Sequence, residues 1–169
     1  MGVPDFNIDF MRGESGEQLV RHALTSCGFH VSKSKVLDYD LDVLEGQGPS
    51  ISKVEVKYDE VSARTGNIFF ELLSNELALN LGAGLKTFSD LIVFLTPNGE
   101  TVEMRFMPTQ KLIAYAILGL IEKRYIPKRV GGNKSCMGLA IPLRNIEHLV
   151  SLSLVTDKSG KVLSRKGEL

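Results

Sequence analysis

Nothing in this chain is long and apolar enough to cross a bilayer as a helix: its longest apolar stretch runs only from Leu112 to Ile121, against the roughly 20 residues a spanning helix needs. Cysteine is scarce, with only Cys27 and Cys136, so a disulfide scaffold is excluded and each is expected to be a small buried hydrophobe in a reducing compartment. The opening residues MGVPDFNIDFMRGE carry acids where a secretory signal would carry bases and an apolar run, and a cytoplasmic location is expected. His22, His30 and His148 are scattered without zinc-ligand spacing. Gly84-Leu85-Lys86-Thr87 lacks the glycine and lysine positions of a phosphate-binding loop. No internal repeat and no linker divides the 169 residues, so one domain over 1–169 is expected.

Net charge is absent too, with 20 bases against 20 acids, but the balance is uneven. Residues 1–60 hold 11 acids and 6 bases, whereas from Lys123 onward there are 10 bases and 3 acids. An acidic front with a basic C-terminal third, about 123–169, fits a carboxylate cluster beside a phosphate-binding surface, and fits equally a chance segregation of solvated charge. Hydrophobic residues at 43% and charged residues at 24% exclude disordered and collagenous classes.

The pattern predicts a helix over Ser15–Gly28, from Val20, Ala23, Leu24 and Cys27 at helical spacing with Ser15 and Gln18 as a capping box. YDLDVLE (39–45) and KVEVKYD (53–59) alternate as the strands of a hairpin around the turn-rich EGQGPSIS. A strand over Asn67–Leu73, a short helix over Asn75–Leu81, a doubly buried strand over Asp90–Thr96 and a strand over Thr101–Met107 follow. A helix then starts at Thr109 and runs through Tyr125 to stop before Pro127. PKRVGGNKS reads as a basic loop, MGLAIPL as a strand, 145–150 as a short helix, and the end as a hairpin turned at DKSG. The fold class expected is α/β, a mixed central sheet flanked by helices.

Strand periodicity places the chemistry. Glu55 and Lys57 share one face of KVEVKYD and Val54 and Val56 the other, while Asp40 and Asp42 share one face of YDLDVLE. Carboxylates gathered on one face repel each other, and a divalent cation removes that problem. Asp42, Glu55 and the Val56 carbonyl suit Mg²⁺, with Mn²⁺ as the alternative, and Asp40 competes with Asp42 for the same role. Asp42 is preferred because Asp40 stands at the very start of its strand. A lysine such as Lys57 beside the metal can orient water or stabilise a transition state, and the chemistry implied is phosphodiester hydrolysis. The alternative is that D-x-D and E-x-K form a solvated strand face.

The order of elements adds a resemblance. Gly13 and Glu17, then Gly28-Phe29-His30-Val31, Asp42 and Glu55-Val56-Lys57 resemble the front half of PD-(D/E)XK nucleases, above all archaeal-type Holliday-junction resolvases. Lys57-Tyr58-Asp59 followed by Arg64-Thr65-Gly66-Asn67-Ile68 and Glu71 is similar to small phage-encoded proteins of that superfamily. The proline that precedes the aspartate in the family is absent here. The resemblance implies a restriction-endonuclease-like fold and a Mg²⁺-dependent endonuclease acting on DNA, with branched recombination intermediates such as four-way junctions as substrate. It also implies Asp42, Glu55, Lys57 and Glu17 as catalytic residues and a bacterial or phage-infected cell as the setting. Arg64 and Asn67 are flanking candidates for nucleic-acid contact, and Lys128, Arg129 and Lys134 candidates for backbone contact. Symmetric cleavage with one E-x-K per chain leads to the expectation of a homodimer. A nicking or restriction-type duplex nuclease, or a DNA-binding protein that has lost catalysis, are the competing readings.

Overall fold

The computed structural model describes residues 6–45, 51–75, 79–130 and 136–169. A seven-stranded sheet runs through the molecule in the order β1 (Phe29–Lys33), β2 (Leu41–Glu45), β3 (Ile51–Tyr58), β6 (Leu91–Asn98), β7 (Thr101–Pro108), β10 (Leu152–Asp157) and β11 (Val162–Gly167). All neighbours are antiparallel except β3 and β6, which are parallel. A second sheet has the order β5 (Asn80–Leu81), β4 (Asn67–Asn75), β9 (Cys136–Pro142) and β8 (Lys128–Val130). The expected mixed α/β class, a central sheet flanked by helices, is what the chain adopts.

Alternation along each strand divides the apolar side chains between two clusters, one on each face of the large sheet. On the first face, α1 (Phe6–Ser26) lays Val20, Ala23 and Leu24 against Leu41, Val43, Val54, Val56, Val93 and Leu95. On the second face, Ile92, Phe94 and Met107 meet Ile68, Phe70 and Leu72 of β4, Leu139 and Ile141 of β9, and Leu112 and Ala116 of α4 (Thr109–Ile121). β6 faces apolar neighbours on both sides, and its Leu91–Thr96 run is buried without a break, as its continuous apolar sequence requires.

Several elements depart from expectation. The first helix passes straight through Ser15, so no capping box starts it there. The described ends of Asn75–Leu81 are strand: β4 runs to Asn75, and Asn80–Leu81 pairs back with Leu73 and Asn75 as β5, residues 76–78 lying outside the described set. Pairing with the preceding strand has overridden helix propensity there. Between β3 and β4 stands α2 (Glu60–Thr65), where the sequence pattern assigns no element. Asp59 starts it by accepting the Val61 and Ser62 N–H groups on Oδ1, each at 3.0 Å. α4 ends at Ile121, before Tyr125, because Lys123 turns through φ 57° and Tyr125 N–H returns to the Gly119 carbonyl. Gly119 is required at that crossing, since a Cβ there would stand 2.4 Å from the Tyr125 ring. Lys128–Val130, expected as loop, is an exposed edge strand, and a short α-helix, α5 (Leu143–Ile146), begins two residues before the expected 145–150 helix.

Candidate active site

Glu55 and Lys57 stand on the second face of β3, in register with Ile92 and Phe94 of β6. They look into the space between the large sheet and the β4 layer. Glu55 is only 8% exposed, and its carboxylate accepts a hydrogen bond and ion pair from the Lys57 ammonium. Burial is the largest influence on this carboxyl and pushes its pKa up; the negative charge of Asp40 adds to the rise, while Lys57 and a hydrogen bond from the Thr87 side chain oppose it.

The register decides between the two aspartates. Asp42 is paired with Lys53, and Leu41 with Val54. Asp40 comes next along the chain and falls beside Glu55. It donates its N–H to the Val54 carbonyl at 3.0 Å and accepts the Val56 N–H on Oδ2 at 2.7 Å. Asp42 stays on the same face opposite Lys53, and Asp40 is the carboxylate next to Glu55. Period-two reasoning assigns a face but not a partner, because a slip of two residues leaves every side chain on the same face. Val56 directs its N–H and C=O to the same side of the strand, so its carbonyl is aimed toward the space Asp40 borders.

Glu17 lies elsewhere. Its Oε2 is 3.1 Å from Lys33 Nζ, and Lys33 pairs with Leu41, whose side chain belongs to the first face. Glu17 is linked in this way to Lys33, whose ammonium also feels Asp40.

The opposite wall was not legible as such. α3 (Ala83–Lys86) and the Glu71 segment of β4 face Glu55 across a cleft of about 260 Å³ that Asp38, Lys86 and Thr87 also line. Glu71 is held in place: its Oε2 accepts the Ala83 N–H at 2.9 Å and its Oε1 the Cys136 thiol at 2.9 Å. Burial, with the Glu71 carboxylate adding, pushes the Cys136 thiol up to about 12, so it is a hydrogen-bond donor and not a nucleophile. The sequence signal was the glycine pair flanking Ala83. A Cβ on Gly82 would meet Glu71 at 2.5 Å, and one on Gly84 would meet the Glu71 carbonyl oxygen at 2.6 Å. Behind Thr87 a buried hydroxyl chain continues, with Ser89 Oγ 3.0 Å from Thr87 Oγ1 and 3.0 Å from Thr109 Oγ1.

The basic and amide candidates stand apart from the cleft. Arg64 is exposed in the last turn of α2, and Asn67 donates from Nδ2 to the Thr65 carbonyl at 3.0 Å, which fixes the turn between α2 and β4. Lys128 and Arg129 lie on exposed β8; Lys134 falls outside the described residues. Among the described residues no three or more His, Cys, Asp and Glu side chains gather as a metal site. The set present is a pair of carboxylates beside a strand carbonyl. Mg²⁺ is commonly held by one or two carboxylates with waters and substrate phosphate completing its octahedron, so this donor set fits that ion.

No protein-family model and no curated protein matches the chain. Among solved structures it is similar to a bacterial homing endonuclease, I-Ssp6803I, at 24% sequence identity and a TM-score of 0.45, over 62% of this chain and 72% of that one.

Proposed function

We propose that this protein is a metal-dependent endonuclease that hydrolyses DNA phosphodiester bonds, with branched recombination intermediates as its substrate. The observation that carries the reading is a buried carboxylate, Glu55, set beside Asp40 and ion-paired to Lys57 at the wall of an open cleft. A buried acid whose charge is disfavoured is a common mark of a functional site. Asp40, Glu55 and the Val56 carbonyl would hold Mg²⁺ or Mn²⁺. That ion supplies a Lewis acid for a phosphoryl oxygen and lowers the pKa of a water. Lys57, tethered to Glu55, presents its remaining N–H groups to the cleft, where they offset charge developing on the phosphate oxygens. Asp40 keeps its orientation through the Val56 N–H, and Thr87 steadies Glu55 from behind.

The test is incubation with duplex, single-stranded and four-way-junction DNA in Mg²⁺ or in EDTA. Cleavage of the junction in Mg²⁺ alone is expected. Cleavage of duplex only would replace the branched-substrate reading with a restriction-type one, and binding without cleavage would replace the enzyme with a DNA-binding protein.

Two features bear on how DNA is held. α4 presents Ile117, Leu118 and Ile121 to solvent at 38%, 49% and 70% exposure, one apolar stripe at helical spacing on the side away from its buried Leu112 and Ala116. A twofold homodimer through this stripe would give a branched substrate two active sites, and sedimentation at micromolar protein is expected to report a dimer. Lys128 and Arg129 on the β8 edge would then occur twice. Replacing both with alanine is expected to weaken binding to every DNA and to flatten the plot of log affinity against log salt by about 0.9 for each phosphate no longer neutralised. An unchanged slope means that neither side chain touches the DNA backbone.

A further inference from the structure

The cleft does not end at Lys57. Beyond the Glu55–Lys57 ion pair, the same walls, Glu71 and Ala83, continue into a pocket of about 250 Å³. Its floor is Phe70, Ile92 and Phe94, exposed by 1%, 2% and 2%. Half-buried Phe69 and Glu71 stand at its rim, while Tyr58, whose ring packs against Gly16 of α1 on the other face of the sheet, borders it beside Lys57. Lys57 sits where the acidic end of the cleft meets this apolar end.

An apolar floor with a polar rim calls for a ligand that is apolar in body and polar at its edge. The volume lies below the roughly 300–1,000 Å³ of sites for drug-sized molecules, which points to one ring system. Aromatic walls favour a flat π-face. The mouth carries Lys57 beside the Asp59 and Glu71 carboxylates, a set of donors and acceptors suited to a polar ring edge, and the phosphate of the nuclease reading lies next to it at Glu55 and Lys57. A ring carried next to a phosphate is a nucleotide, and in intact duplex the base is stacked and paired and has no access to such a slot.

We infer that this pocket receives one unpaired base of the substrate strand, adjacent to the phosphate bound at Glu55 and Lys57. The inference rests on the nuclease reading for what lies at Glu55, and it narrows the substrate to strands that offer an unstacked nucleotide: a gap, flap, junction or end. Glu71 contributes at the rim. A carboxylate has about four lone-pair sites, and the Ala83 N–H and the Cys136 thiol engage one on each oxygen, which leaves acceptor capacity for an N–H on a base edge.

The test measures binding without chemistry, by fluorescence anisotropy in Ca²⁺, of fluorescein-labelled oligo(dT) of about twelve nucleotides and of an abasic strand of the same length and charge. Two variants are compared with the natural protein: Ala83→Leu, which fills the pocket from α3, and Phe69→Ala, which removes a rim ring. Phe69→Ala is expected to bind oligo(dT) about tenfold more weakly and the abasic strand unchanged, and Ala83→Leu, whose side chain also borders the Glu55 cleft, to lose more on oligo(dT) than on the abasic strand. Equal loss on both strands, or no loss on oligo(dT), overturns the pocket. Should Ala83→Leu melt below the natural protein, Phe69→Ala decides. Mg²⁺-dependent cleavage by the natural protein is scored separately. Cleavage with no dependence of binding on the bases removes the pocket and leaves the nuclease; base-dependent binding with no cleavage does the reverse.

Discussion

Glu55→Gln is expected to lower Mg²⁺-dependent cleavage by about a thousandfold or more, and at the same time to make the metal-free protein melt higher at pH 8. The two effects have one cause. Glu55 is buried, and burial pushes its pKa above the usual glutamate value. A group whose pKa is higher folded than unfolded contributes stability that is fully present below the unfolded value, near pH 4.3 for glutamate, and is lost as pH rises through the folded value. At pH 8, well above the unfolded value, the natural protein has lost part of that stability, and glutamine removes the titrating group with little change of shape. At pH 5 the gain from the substitution should shrink. Mg²⁺ acts in the opposite order: at ten times its dissociation constant it stabilises the natural protein by about 1.4 kcal/mol, a rise of roughly 3–6 °C in Tm for a chain of this size, and it should do nothing for Glu55→Gln. Calorimetry at the two pH values, with and without Mg²⁺, reads all of this without any DNA. A variant that melts lower at pH 8, or that still responds to Mg²⁺, would show that Glu55 is an ordinary buried acid.

Asp40→Asn should be as damaging to cleavage as Glu55→Gln, about a thousandfold, while Asp42→Asn should stay within roughly fivefold of the natural protein. Register is the reason. Asp40 lies beside Glu55 with Oδ2 on the Val56 N–H, whereas Asp42 is paired with Lys53, a pair further along toward the hairpin turn. Asparagine keeps a carbonyl oxygen that can still accept from Val56, so Asp40→Asn should retain its melting temperature and lose only the anionic ligand. That separates loss of metal from loss of fold. If Asp42→Asn is the inactive variant, the ligand set has to be redrawn around Asp42.

What the sequence made legible was faces. Alternation in 53–59 put Glu55 and Lys57 opposite Val54 and Val56, and an unbroken apolar run marked β6 as buried on both sides. These signals are local and have a fixed period. What it left open depends on contacts between distant segments. The hairpin register that brings Asp40 beside Glu55 is one such contact. Another is the approach of α3 to β4 that supplies Glu71, Ala83 and Thr87 as the far wall, visible beforehand only as two glycines around an alanine. Glu17 entered only through the resemblance, and the side of the sheet on which its helix lies is a property of the packed molecule. Asp59 was read as strand because nothing in KVEVKYD separates a last strand residue from a helix cap; the two N–H groups it accepts settle the matter.

The strand to which the proposed chemistry is assigned is an interior one. β3 is hydrogen-bonded to β2 on one side and to β6 on the other, and the far wall of the cleft, beyond the Glu71 that β4 contributes, belongs to a four-residue helix and a two-residue strand. The two walls therefore sit at opposite ends of the range of local stability found within one protein. The amide hydrogens of Glu55 and Lys57 would exchange with solvent deuterium only when the whole sheet opens, whereas those of 79–86 would exchange through small excursions that leave the sheet intact. Substrate admission is then a property of the weak wall, and the geometry of the reacting groups is as durable as the fold itself.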